Sequence, residues 1–216
     1  MDIFYLANRR LYALLEKEDW PALVQFLEGR VITRGRYPAR LVKLLANSYL
    51  VLSDPASVLE LENRLSVAKP ALIEENSLIF GIARILGKDH AGAAAFFSRR
   101  LDSAKQGDWI RFYHGFAALL DGDFGAAAND CVVLASESRI PLVIGLSGYF
   151  LSGALKKSLP SRATECIQAA KTARERVKKS LPGKKDWNRE VSRSLGEIYV
   201  AVISKYIGGA GTWLYA

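Results

Sequence analysis

The chain has 216 residues, of which half are hydrophobic, and a formal net charge of +8. Its hydrophobic content is enough to bury a sizeable core and excludes an intrinsically disordered chain. The charge is uneven, because residues 151–216 hold 13 basic and five acidic side chains whereas residues 1–150 are balanced, and this asymmetry indicates an anionic partner for the C-terminal part.

Helix-start signals recur along the whole chain. Three aspartates are placed to cap helices: Asp54, Asp123 and Asp186. Prolines stand where a helix would begin, and proline suits the first helical turn. These prolines are Pro21, Pro38, Pro55, Pro70, Pro141 and Pro160. Apolar residues between these marks recur at three- and four-residue steps, and no stretch alternates with a period of two. The sequence therefore predicts an all-α protein.

The predicted helices follow one another in pairs with short connections. The five pairs join 3–17 with 21–31, 37–52 with 55–67, 71–87 with 89–104, 108–121 with 124–138, and 140–157 with 160–181. A closing helix is predicted at 187–207, followed by a flexible end at Gly208-Gly209-Ala210-Gly211. We expect one domain over residues 1–216, built of pairs at about 3–31, 37–67, 71–104, 108–138 and 140–181.

One sequence pattern occurs twice in the middle of the chain, and its members are separated by one constant interval. The matched residues are Gly81 with Gly115, His90 with Phe124, Ala93 with Ala127, and Phe97 with Cys131. This interval equals the period of about 34 residues that is typical of the tetratricopeptide (TPR) repeat. The chain therefore resembles the TPR family, strongly in the third and fourth pairs and loosely elsewhere. The resemblance implies an α-solenoid of about five helix pairs and a C-terminal helix, with Ala127 where helices meet.

The TPR resemblance also implies a non-catalytic scaffold or adaptor that binds a partner protein or peptide in a concave groove. Aromatic and polar side chains on first helices are the candidates for this groove: Tyr5, Asn8, Tyr12, Trp109, Phe112 and Phe116. The alternative is that the rings form the core between helices. Asn8 and Arg9 are a fragment of the set that holds a peptide C-terminus in one TPR subgroup. The corresponding places in pairs two to four are expected to be mostly apolar, so this mode is not predicted.

A second candidate surface is basic. Lys171, Arg174 and Lys178 follow one helix face, and Lys179, Lys184 and Lys185 add charge around the next loop. The alternative function is accordingly an anion-binding module for nucleic acid, an acidic protein or a membrane surface. The interpretation of the same pattern without a binding function is a solvated charged face.

The sequence offers little for catalysis. His90 and His114 stand where packed residues are expected, Cys131 and Cys166 are expected as buried free thiols, and no metal-ligand spacing or cofactor motif occurs. We therefore predict no enzyme activity, no metal and no cofactor. The longest uncharged run, residues 140–155, is too short for a membrane span. A cytoplasmic protein is expected, with a periplasmic or membrane-tethered parent as the alternative if the chain is part of a longer protein.

Overall fold

A computed structural model describes residues 3–102 and 107–216, with side chains from residue 9 onward. All regular structure in these ranges is helical, which confirms the all-α prediction. The helices are α1 (Ile3–Glu16), α2 (Trp20–Val31), α3 (Ala39–Val51), α4 (Pro55–Ala68), α5 (Ala71–Glu75), α6 (Ser77–Leu86), α7 (His90–Ser98), α8 (Gly107–Asp121), α9 (Phe124–Glu137), α10 (Pro141–Phe150), α11 (Lys156–Ser158), α12 (Ala163–Ser180), α13 (Lys184–Ser194), α14 (Ile198–Ala201) and α15 (Ser204–Tyr215).

The chain divides into two compact units. The N-terminal unit is Met1–Gly87 and the C-terminal unit is Lys88–Ala216. This differs from the single domain that we expected, since the boundary falls inside the predicted third pair. The boundary lies between α6 and α7.

Four helix starts in the described part of the chain share one local geometry. The residue before the cap has a left-handed φ in each case: Glu18 (50°), Ser53 (58°), Lys88 (65°) and Gly122 (89°). The next residue is an aspartate whose carboxylate accepts the backbone N–H three residues later: Asp19 (3.2 Å), Asp54 (3.1 Å), Asp89 (2.9 Å) and Asp123 (3.0 Å). Along the sequence, the interval from Asp19 to Asp54 equals the interval from Asp54 to Asp89, and the interval from Asp89 to Asp123 is one residue shorter. We call these four places the Asp corners.

The N-terminal unit is held by contacts of α2 with α1 and α3, and of α4 with α3 and α6. Two polar side-chain pairs join these helices. The Tyr49 hydroxyl donates to Glu28 at 2.7 Å, and the Arg84 guanidinium donates to both Glu62 carboxylate oxygens at 2.7 and 3.0 Å. The donors Tyr49 and Arg84 stand at equal distances in sequence before the Asp corners at Asp54 and Asp89. The spacing of the Asp corners thus recurs in an interhelical bond.

In the C-terminal unit, α8 packs on α7 and α9, and α10 contacts α9, α12 and α15. Ala127 is fully buried, as predicted. A Cβ atom at Gly115 would lie 3.0 Å from the Asp130 Cβ and 3.5 Å from the Ala127 carbonyl oxygen. Small residues therefore allow α8 and α9 to approach closely at this point.

The prediction of one closing helix at 187–207 is wrong. The structure has α13, α14 and α15 there, and the glycine-rich stretch lies inside α15 rather than at a flexible end. Asp186 is not the N-cap residue that we predicted but the third residue of α13, from which its carboxylate accepts the N–H of the N-cap Gly183 at 3.2 Å.

Two other predicted helices are interrupted. The predicted helix 71–87 breaks at Asn76, whose side-chain amide donates to the Leu72 carbonyl at 2.8 Å and competes with helix continuation. In the fifth pair, a π-helical turn at Leu151–Leu155 follows α10, and a 3-10 turn at Pro160–Arg162 precedes α12. Helix α7 ends at Ser98, well before the end of the predicted helix 89–104, whose last two residues lie outside the described residues. The other predicted elements are present within a few residues.

Replacing a corner aspartate should destabilise the protein. Asp123→Ala removes the side-chain acceptor for the Ala126 N–H, and we expect a loss of about 1 kcal/mol of unfolding free energy. The control is Asp121→Ala at the exposed C-terminal end of α8, where an acidic group opposes the helix dipole. Urea denaturation of both variants provides the measurement. Equal losses for the two would contradict the capping role.

Candidate functional site

The aromatic residues that were predicted to line a groove on α8 are buried. Trp109, Phe112 and Phe116 are 6%, 2% and 5% exposed. Phe112 stacks on Phe116 with ring centroids 6.1 Å apart, and Phe150 of α10 lies 5.8 Å from Phe116. The prediction that these three rings form an open groove is therefore wrong, and the alternative, that they form core, describes them correctly.

The rings are covered by the C-terminal segment, residues 198–215. Tyr199 lies 5.0 Å from Trp109 between ring centroids, and Tyr206 lies 5.3 Å from Phe116. The hydroxyl of Tyr113 donates to the backbone carbonyl of Tyr199. The face of α8 that was expected to receive a partner thus receives polypeptide from its own chain.

Glycines let α15 dock closely on this part of the C-terminal unit. A Cβ atom at Gly145 or at Gly211 would come within 2.7 Å of the Trp187 ring, which is 1% exposed. Likewise, a Cβ at Gly209 would lie 2.7 Å from the Tyr149 hydroxyl oxygen. Large rings on one element therefore fill space that glycines leave open on another, which accounts for Gly209 and Gly211 in the glycine-rich stretch.

The spacing of the Asp corners relates the groove candidates to a set in α3. The interval in sequence from the second Asp corner to the fourth also separates three pairs of residues on α3 and α8. These pairs are Arg40 with Trp109, Lys43 with Phe112, and Asn47 with Phe116. We call these three places on each helix its inner positions.

In α3 the inner positions are polar. Arg40 and Lys43 are exposed, and Asn47 is half-buried. The Asn47 side-chain oxygen is buried and has no hydrogen-bond partner in the described part of the chain. Our expectation that these places would be mostly apolar is wrong for the second pair. The equivalence of these α3 and α8 residues is present in the sequence. It is hidden because the interval between successive Asp corners is one residue longer in the first two steps than in the third.

The predicted groove residues of α1 occupy the inner positions of that helix. The interval in sequence from the first Asp corner to the second also separates Tyr5 from Arg40, Asn8 from Lys43, and Tyr12 from Asn47. Tyr12 is 37% exposed. The backbone of Tyr5 and Asn8 belongs to α1, but their side chains lie outside the described residues.

The predicted basic face of α12 is partly used to hold α15. The Arg174 guanidinium donates to the Leu214 carbonyl at 2.9 Å, and its carbon lies 5.9 Å from the Trp213 ring centroid. The Lys178 ammonium lies 5.8 Å from the Tyr215 ring centroid. These two cations therefore contribute to the docking of the C-terminal segment.

The other four predicted anion-binding residues are exposed. Lys171 lies 4.0 Å from the Glu175 carboxylate on the same helix. Lys179 lies near the end of α12, and Lys184 and Lys185 begin α13. Arg174 and Lys178 thus have an internal docking role, Lys171 lies beside Glu175 within α12, and the other three lysines are exposed at the α12–α13 connection.

Several titratable or nucleophilic side chains of the C-terminal unit are buried or bonded to one another. His114 Nδ1 lies 2.5 Å from one oxygen of the buried Asp130 carboxylate, and Arg111 lies 3.2 Å from the other. Cys131 and Cys166 are buried free thiols, as predicted. Burial raises the pKa of the Cys131 thiol, which disfavours the nucleophilic thiolate. His90 is half-buried on α7.

Over residues 3–102 and 107–216, no group of three or more metal-ligating side chains gathers in one place. Within the same ranges, no helix is both long and apolar enough to cross a membrane.

Comparison with known proteins places the chain in a family. The family model described as "Uncharacterised Treponema protein" matches residues 57–216. The chain is also 32% identical over 224 residues to an "Uncharacterized protein" of Treponema pallidum (strain Nichols), and the alignment covers all of this chain and 71% of that relative. The chain therefore belongs to this Treponema family. No solved structure matches it.

A methyl group on the docked face of α15 should weaken the C-terminal unit. Gly211→Ala places a Cβ against the Trp187 indole, and we expect about 1–3 kcal/mol of destabilisation from overpacking. Gly208→Ala in the same helix meets nothing within 4 Å, so it should stabilise by about 0.5–1 kcal/mol. Thermal melts followed by tryptophan fluorescence measure both effects. A stabilising Gly211→Ala would show that α15 does not dock on Trp187.

Proposed function

We propose that this protein is a non-catalytic, TPR-like scaffold of stacked helix pairs that binds a partner protein or peptide. The four Asp corners support the repeat, because they join a left-handed residue, an aspartate cap and a new helix at nearly equal steps along the chain. Steps of this length are typical of helix-pair repeats. Such arrays use an extended surface, formed by successive repeats, to bind other proteins.

Interhelical bonds in the N-terminal unit support the same architecture. The bond from Tyr49 to Glu28 joins α3 to α2, and the bond from Arg84 to Glu62 joins α6 to α4. In both cases an acidic residue on the second helix of one pair accepts from the first helix of the next pair. Equivalent bonds at equivalent places are expected when each repeat stacks on its neighbour in the same way.

The observation that carries the proposal is the occupied inner face of α8. At these inner positions the C-terminal segment is already packed, with Tyr199 against Trp109 and Tyr206 against Phe116. The inner face of such a helix can therefore accommodate a helical segment of polypeptide. In α3 the same positions carry Arg40 and Lys43, whose side chains are exposed.

The chemistry of the α3 inner positions indicates the kind of partner. Arg40 and Lys43 supply positive charge on an exposed part of α3. Together they suit a segment of polypeptide with acidic side chains. Electrostatic attraction of this kind raises the association rate and weakens as salt is added.

The alternative function is an anion-binding module that uses the basic face of α12 and the start of α13. Lys179, Lys184 and Lys185 are exposed there and form a compact positive cluster in the sequence. Arg174 and Lys178 contact α15, so binding through them would compete with an internal contact. For this reason we favour α3 as the binding surface. A cytoplasmic location stays a prediction.

The two functions are separated by charge-reversal variants that leave the core intact. We expect Arg40→Glu with Lys43→Glu to reduce partner capture from a lysate of the source organism at least about tenfold, because the variant repels an acidic segment. The matched control is Lys179→Glu with Lys184→Glu, which should capture the same partner as the unmodified chain. Quantitative mass spectrometry of the captured proteins, with melting temperatures for both variants, provides the measurement.

The reverse result would favour the anion-binding module. If only the Lys179→Glu and Lys184→Glu variant loses its partner, the basic face is the binding surface. If both double variants melt like the unmodified chain and capture the same proteins, neither surface carries the proposed function.

A further inference from the structure

Residues 29–53 of the N-terminal unit contain five basic side chains and no acidic one. Four of the basic side chains are exposed on the loop between α2 and α3 and on α3 itself, and we call them the basic set: Arg34, Arg36, Arg40 and Lys43. We propose that the basic set binds the sugar–phosphate backbone of single-stranded nucleic acid.

No carboxylate neutralises the basic set in the described part of the chain. None of its members takes part in an ion pair there. The acidic residues that flank it in sequence are engaged elsewhere, since Glu28 accepts the Tyr49 hydroxyl at 2.7 Å. Likewise, Asp54 accepts the Ser57 N–H at 3.1 Å and the Ser57 hydroxyl at 2.6 Å. Four like charges therefore stand in solvent, and a polyanion that covered them would lower their mutual repulsion.

The basic set follows the chain from the loop onto the outer side of α3. The loop is exposed from Thr33 to Arg36 and turns at Gly35, which has a left-handed φ of 59°. Arg40 and Lys43 are three residues apart and share a helix face. The core side of α3 is formed by other residues: Val42, Leu45, Ala46, Ser48, Tyr49 and Leu50. Successive members of the basic set are no more than about 14 Å apart between Cα atoms, because at most four residues separate them.

Charges that are spread along a path suit a polymer that carries one charge on each monomer. A small anion can meet only one or two of these cations, whereas successive phosphates of a nucleic-acid strand can each pair with a separate one. The cations need not converge on a single point for this purpose. Three of the four are arginines, whose planar guanidinium donates two parallel hydrogen bonds to phosphate oxygens.

An aromatic residue within the basic set favours unpaired nucleic acid over an acidic polypeptide. Tyr37 directly follows Arg36 and is half-buried, so part of its surface is accessible. Unpaired bases stack on aromatic rings with little regard to sequence, whereas glutamate and aspartate side chains have no ring to stack. Positive charge and an aromatic ring in one loop are the two components of a surface that binds single strands.

The basic face of α12 suits this ligand less well. Arg174 and Lys178 contact α15, and Lys171 lies 4.0 Å from the Glu175 carboxylate. The ring of Trp187, which follows the exposed lysines at the start of α13, is buried. We therefore assign the nucleic-acid surface to the N-terminal unit.

Fluorescence anisotropy of a labelled oligouridylate of about 12 nucleotides, titrated with the intact chain, tests the proposal. We expect saturable binding at about 50 mM salt, and the logarithm of the binding constant should fall with the logarithm of the salt concentration with a slope of about −3. This slope follows from four cations, because each neutralised phosphate of a single strand contributes about −0.7. A labelled oligoglutamate of about the same charge should bind at least about tenfold more weakly, since it offers no base to stack.

Variants locate the binding. Arg34→Gln with Arg36→Gln should weaken oligouridylate binding at least about tenfold and make the slope shallower by about 1.4, because two phosphate contacts are lost. The matched control is Lys179→Gln with Lys184→Gln, which removes the same charge from another exposed site and should bind within about twofold of the unmodified chain. Tyr37→Leu should weaken binding at least about fivefold without changing the slope, since it removes a ring but no charge. Melting temperatures show whether each variant is folded.

The proposal goes beyond the scaffold function, and either can fail alone. Arg34 and Arg36 lie outside the inner positions, so their double variant should still capture the protein partner. Partner capture without oligouridylate binding would reject only the nucleic-acid surface. Oligouridylate binding without a protein partner would reject only the scaffold.

Three results would overturn the proposal. The first is a lack of saturable binding of oligouridylate with up to roughly 100 µM protein at about 50 mM salt, where even non-specific strand binding is detectable. The second is oligoglutamate binding as tight as that of oligouridylate, which would make the basic set a surface for acidic polypeptide. The third is unchanged oligouridylate affinity in the folded arginine double variant or in folded Tyr37→Leu.

Discussion

The bond from a corner aspartate to the backbone N–H three residues later is the constraint from which the rest of the structure follows. It ends each turn at a fixed point after a left-handed residue, and so sets where the next helix begins. Because the four corners recur at nearly equal steps, side chains at equal distances from them should occupy equivalent faces. Arg40 and Trp109 can then be compared although their side chains share no chemistry.

Local signals made much of the fold predictable. Asp54 and Asp123 were identified as caps from sequence, and Ala127 was placed correctly where helices meet. The C-terminal helices were not predictable by the same means. Glycine lowers helix propensity, so Gly208–Gly211 looked like a helix end. Its helical state depends on contacts with Trp187 and Tyr149, residues that are distant in sequence.

The candidate sites were harder to predict because exposure is a tertiary property. Trp109 and Phe112 share a helix face with the spacing of a binding surface, yet a face of this kind is buried whenever another part of the chain is apolar enough to cover it. The α3 residues Arg40 and Lys43 gave no motif of their own. Their correspondence to the α8 residues emerges only when both helices are aligned on the Asp corners, which the structure defines.

The difference between α3 and α8 follows from the cost of burial. Burying an aromatic side chain removes a large apolar area from water, so the rings of α8 gain by packing against Tyr199 and Tyr206 of the same chain. Burying Arg40 or Lys43 against the same apolar rings would remove charge from water without a partner, which is unfavourable. Apolar inner positions are therefore satisfied within the molecule. Charged ones stay in solvent, where only a ligand with complementary charge gains by covering them.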